Sequence, residues 1–82
     1  MDQTKEEIYN EKNKELAMFF YSNKEPIHIR DRRFLSWNGF IIKVADNFII
    51  LDEFIAGKKT IFFSDIYDYI EPFDNSKRGK KI

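Results

Sequence analysis

Few residues in this chain are equipped for covalent chemistry. It has one histidine, His28, and no cysteine, which excludes disulfides and thiolate or multi-histidine metal cages within a single chain. His28 lies between Ile27 and Ile29, and no partner acid stands with it in the sequence. Asp52 and Glu53 are adjacent carboxylates after an apolar run, but strand neighbours point to opposite faces and do not converge as an acid–base pair. Three scattered glycines do not make a phosphate-cradling loop. The side chains therefore point away from an enzyme, and none requires a cofactor. What they suit is holding a polyanion. Arg30, Arg32 and Arg33 cluster beside Phe34 and Trp37. Lys58 and Lys59 form a second basic pair, and Lys77, Arg78, Lys80 and Lys81 a third group. Cations neutralise phosphates, and rings stack bases at about 1–3 kcal/mol each, so the combination fits RNA or single-stranded DNA. Asp31 interrupts the arginines, and Asp65, Asp68, Glu71 and Asp74 make the last strand acidic. The same groups also read as a solvated charged face.

Positioning these groups falls to one small domain. Eighty-two residues leave room for a single core. The 14 basic and 14 acidic residues balance, so the overall field favours no partner. Nine Phe, four Tyr and one Trp are more rings than a core of this size buries, at about 150–250 Å² each. The surplus is expected at a surface covered by a partner or a second subunit, although an A/T-rich genome would also raise the count. No apolar stretch approaches the roughly 18–20 residues needed to span a bilayer. The charged N-terminus is unlike a signal peptide. Absence of cysteine fits a reducing cytosol, and a cytoplasmic location without membrane association is expected.

Local signals give the element order. Thr4-Lys5-Glu6-Glu7 matches a capping box, which opens a helix over residues 4–22 that is sparse in apolar residues before Leu16 and dense after it. Pro26 biases Glu25 out of helical geometry and supplies the stop. A short strand over residues 17–21 is the rival reading. Strands are then expected over 27–30, 34–44, 48–55, 60–63 and 66–70. Asn38-Gly39 should mark a bend in the second. Turns are expected at 31–33, at Asp46-Asn47, at 56–59 with Gly57 taking positive φ, and at Ser64-Asp65. Five short, closely spaced antiparallel strands suggest a mainly β domain over 1–74, a strongly bent sheet rolled into a small open barrel. Residues 75–82, polar and basic, are expected to be a disordered tail.

The stretch GFIIKVADNFIILDE places apolar residues on both faces of a hairpin, so its second face is expected to be covered by the helix or by another subunit. Trp37-Asn38-Gly39-Phe40-Ile41, followed by Asp46-Asn47-Phe48-Ile49-Ile50-Leu51, resembles the first motif of the Sm-like (LSm) family. The run from Ile61-Phe62-Phe63-Ser64-Asp65-Ile66 to Tyr67-Asp68-Tyr69-Ile70-Glu71-Pro72 is similar to the second. The likeness covers roughly residues 4–72, in pattern rather than identity, and a Tudor- or chromo-related barrel would give a similar strand pattern. The resemblance implies a head-to-tail homo-oligomeric ring in which the fourth strand of one subunit pairs with the fifth of the next. Ile61, Phe62, Phe63, Ile66, Tyr67 and Tyr69 would form that interface. It also implies that Asn47, Phe48 and Ser64 meet nucleic acid near the pore, with Arg30, Arg32, Arg33, Lys58 and Lys59 on basic turns. Two positions depart from the family: Ile50 stands where a base-reading Asn is usual, and Ser64-Asp65 where an Arg-Gly pair is usual. The alternative expectation is a protein-interaction or assembly module with no nucleic-acid ligand.

Overall fold

The computed structural model describes residues 4–73; the basic groups at 77–81 and the expected tail lie outside them. The helix α1 spans Lys5–Ser22 and opens with the capping box. Thr4 Oγ1 accepts from the Glu7 N–H at 3.1 Å, and Glu7 Oε1 accepts from the Thr4 N–H at 2.9 Å. Residues 17–21 belong to this helix, not to a strand. Its end is more specific than a proline stop. The Lys24 N–H donates to Tyr21 O and the Glu25 N–H to Phe20 O, while Lys24 itself takes φ 55°. These are the paired bonds of a Schellman cap, with a lysine at the position that usually holds glycine.

The strands are β1 (Ile27–Asp31), β2 (Ser36–Val44), β3 (Phe48–Glu53), β4 (Gly57–Phe62) and β5 (Ile66–Pro72), with one 3-10 turn, Phe63–Asp65, before the last. They form one antiparallel sheet in the order β4-β3-β2-β1-β5. Three sequence expectations are corrected here. The sheet is open, with β4 and β5 as its two edges, and is neither closed nor strongly curled into the expected barrel. Lys58 and Lys59 lie on β4, because the preceding turn occupies residues 54–56 and ends at Gly57 with φ 82°. Ser64 and Asp65 are the end of the 3-10 turn, not a two-residue hairpin.

Alternation along β1 and β3 sends Ile27, Ile29, Ile49 and Leu51 inward, all at 0% exposure. Ile41, Ile61, Phe63, Ile66 and Ile70 join them, and α1 closes this face with Ala17 and Phe20. The helix packs against β2, β5 and the 3-10 turn. Gly39 permits the close approach of β2 to β3, since a Cβ there would lie 2.2 Å from the carbonyl oxygen of Asp52. The break in register falls a little further on, at Ile42. A second irregularity lies between β1 and β5, where Ile29 faces the extra residues 68–70 and Asp68 has φ 67°. Asn13, fully buried on α1, occupies that bulge. Its Nδ2 donates to Asp68 O and its Oδ1 accepts from the Ile70 N–H, each at 2.9 Å. The groups that the bulge removes from the ladder are thereby satisfied.

On the outer face Phe40 and Ile42 are each 41% exposed. The second face of the greasy hairpin is therefore not covered by the described part of the chain. Among the aromatic residues described, only Phe20 and Phe63 are buried. Most of the others meet in surface pairs, such as Phe40–Phe54, Phe54–Phe73 and Tyr9–Tyr69. This is how the surplus of rings appears in the fold.

Candidate nucleic-acid interface

Two turns far apart in sequence meet at one end of the sheet. The β2–β3 link is a two-residue turn, Asp46-Asn47, framed by the Ala45 N–H donating to Phe48 O at 2.8 Å. Beside it runs the 3-10 turn, tied on by the Phe63 N–H donating to Asn47 O at 2.9 Å. Together with α1 they enclose an open cleft of about 470 Å³, lined by Asn10, Glu11, Lys14, Asp46, Asn47, Phe62, Phe63 and Ser64. Lys14 reaches across it, Nζ to Asp46 Oδ1 at 2.9 Å. That hydrogen bond, then the lysine charge, hold the Asp46 carboxyl below its ordinary value. The cleft thus has neutral hydrogen-bonding groups in Asn47 and Ser64, a ring in Phe62 and a slight excess of negative charge, Glu11 and Asp46 against Lys14. Such a set can hold the edge of a base or a ribose better than it can hold a bare phosphate.

Of the residues expected to meet nucleic acid, Asn47 and Ser64 share this cleft, while Phe48 does not line it. Phe48 is half-buried, its ring 5.5 Å from that of Phe62 on the neighbouring strand. Phe62, 46% exposed, is the ring the cleft displays. Sequence reasoning assigned it to an interface. The signal that could have found it is the cross-strand register, which sets Phe62 opposite Phe48.

The basic residues do not form one patch. Arg32 lies next to the cleft. Its backbone N–H donates to Asp65 O at 3.0 Å, its Nε donates to Ser64 O at 2.7 Å, and its guanidinium lies 3.8 Å from Glu6. Arg33 is on the same turn, 3.4 Å from Asp31. Arg30 faces a separate small hollow with His28, Tyr67, Asp68, Tyr69 and Glu71. Lys58 stands opposite Asp52 in the ladder, and Lys59 lies over the Trp37 ring at 4.1 Å. His28 is paired through Nδ1 with Asn38 Oδ1 at 2.7 Å. Of the expected interface residues, Phe62, Tyr67 and Tyr69 are exposed on the edge strands, whereas Ile61, Phe63 and Ile66 belong to the hydrophobic core of the chain itself. They face inward because they alternate with, or sit in the turn beside, those exposed residues.

Two buried carboxylates shape the turns at the other strand ends. Asp31, 6% exposed, accepts from the N–H groups of Arg33 and Leu35 through Oδ1 and from Trp37 Nε1 through Oδ2. Burial pushes its carboxyl up, but the bonds from Trp37, Leu35 and Arg33, with the Arg33 charge, outweigh that and hold it below its ordinary value. Glu53 does the same for the next turn, accepting from Ala56, Ile55 and Asn38. The Ala56 N–H contributes most to lowering its carboxyl, against burial, which raises it. Among the described residues no group of three or more His, Cys, Asp or Glu is placed to hold a metal ion. No described helix is long and apolar enough to cross a membrane. The chain matches no family model and no curated protein, and its helix followed by five antiparallel strands is a topology compatible with the Sm-like fold.

Proposed function

We propose that this is a ring-forming module of the Sm-like kind whose repeated clefts hold RNA or single-stranded DNA, in a scaffold or chaperone role without covalent chemistry. The observation that carries this reading is the meeting of the β2–β3 turn with the 3-10 turn, which brings Asn47 and Ser64 into one cleft. Ring formation has separate support. The edge strands β4 and β5 leave N–H and C=O groups unpaired, and they display Phe62, Tyr67 and Tyr69. Head-to-tail pairing of the two edges would cover both.

Fluorescence anisotropy with labelled oligo-U, oligo-A and single-stranded DNA tests the ligand. Salt-dependent binding that weakens in Asn47→Ala is the expected outcome. No binding at tens of micromolar protein and low salt would leave the second reading, a protein-assembly module without nucleic acid. One observation favours that reading. Lys14, Arg32 and Arg33 are each within ion-pair distance of a carboxylate of the same chain, which reduces the charge they offer to phosphate.

A further inference from the structure

We infer that the turn formed by residues 32–35 is a second contact for single-stranded nucleic acid, in which the Phe34 ring stacks a base and Arg33 faces the adjoining phosphate. This inference rests on the nucleic-acid reading above and extends it beyond the cleft. Phe34 is 65% exposed, yet its backbone has φ 66°, a conformation that glycine or asparagine would adopt more readily. Core packing does not account for a large ring held in that way. The turn is also rigidly built. The Phe34 N–H donates to Asp31 O at 2.8 Å, and the N–H groups on either side of it are held by the buried Asp31 carboxylate. The ring is propped by Tyr67, with centroids 5.3 Å apart and planes at 64°, which leaves much of its surface open.

Position links this turn to the cleft. Arg32 bonds to the carbonyls of Ser64 and Asp65, and Ser64 lines the cleft. A strand leaving the cleft past Ser64 therefore meets Arg32 and then the turn. The side chain of Arg33 is 75% exposed. Asp31 and Asp65 lie in the same hollow as Arg32 and Arg33, and Arg33 is paired with Asp31 at 3.4 Å, so the charges there cancel and the ring is the main source of affinity. Bases of any kind have a face to stack, so the contact is tolerant of sequence.

The test compares wild type, Phe34→Gly and Phe34→Trp by anisotropy with labelled oligo-U and oligo-dT, alongside thermal unfolding. Phe34→Gly should weaken binding by about 5- to 160-fold while melting no lower than wild type, because glycine accepts the left-handed backbone. Phe34→Trp should bind at least as well as wild type. Phe34→Gly binding that is indistinguishable from wild type would overturn this contact and leave the cleft reading intact. A wild-type chain that binds no oligonucleotide removes both. Capture of anionic phospholipid vesicles by wild type but not by Phe34→Gly, without oligonucleotide binding, would reassign the turn to lipid and equally overturn the inference.

Discussion

At the scale of single residues, the telling pair is Asp31 and Glu53. Each is a carboxylate at the last position of a strand, buried, and bonded to backbone N–H groups of the turn that follows. A carboxylate so placed satisfies donors that would otherwise be lost to solvent or left unpaired, and removing an acceptor of this kind costs about 1–3 kcal/mol. Both carboxyls lie below their ordinary values of 3.8 and 4.5. A depressed carboxyl lends its stability in full above the unfolded-state value and loses it as pH falls through the folded-state one. The melting temperature should accordingly be steady from neutral pH to about pH 5 and fall below that. Circular dichroism melts across this range check it, and Glu53→Gln should make the acid decline shallower. An equally steep decline in that variant would assign the acid sensitivity to other groups.

At the scale of elements, the helix is tied down at both ends and at its centre by different means. Thr4 and Glu7 cap its start, Asn13 plugs the β5 bulge, and the Schellman bonds close its end. Lys24 takes the left-handed position of that cap without glycine's freedom. A side chain there costs about 1–2 kcal/mol, against about 0.5–1 kcal/mol for the extra entropy of an unfolded glycine. Lys24→Gly is thus expected to raise stability by roughly 0.5–1 kcal/mol, a melting increase of a few degrees in a domain of this size. Urea unfolding provides the measurement. A lower midpoint would show that the lysine side chain contributes packing that outweighs its backbone strain.

At the scale of the whole molecule, the open sheet and the uncovered rings are one problem. Exposed Phe40, Phe54 and Phe62, with Tyr67 and Tyr69, are part of the aromatic surface that a single core of this size leaves outside. Only the edge strands among these positions also offer unpaired backbone groups. A charge on β4 should therefore act on assembly before it acts on folding. Phe62→Lys is predicted to shift the chain toward monomer in size-exclusion chromatography with light scattering, while its far-ultraviolet spectrum stays unchanged. A wild-type chain that is already monomeric would remove the ring. An unaffected oligomer in the variant would place its interface elsewhere.

Much of the architecture was legible in the residues themselves. The capping box, Pro26, the Asp46-Asn47 turn and the alternation of Ile27 and Ile29 are local signals, set by backbone sterics and by the period of the chain. They determined the helix, the number of strands and their order along the chain. What only the tertiary structure decided depends on neighbours distant in sequence. Asn13 reads as an ordinary helix-surface residue until β5 bulges beside it. Lys24 and Phe34 take left-handed backbone that neither type announces, and Asp68, a type that tolerates it, takes it between two strand segments. The cleft joins residues 46–47 to 62–64 through a hydrogen bond between two turns, and the basic residues disperse because Arg30 lies on β1, Arg32 and Arg33 on the turn after it, and Lys58 and Lys59 on β4. Local sterics are written residue by residue, but which side chains share a surface is set by the pairing register, and that register is a property of the folded sheet.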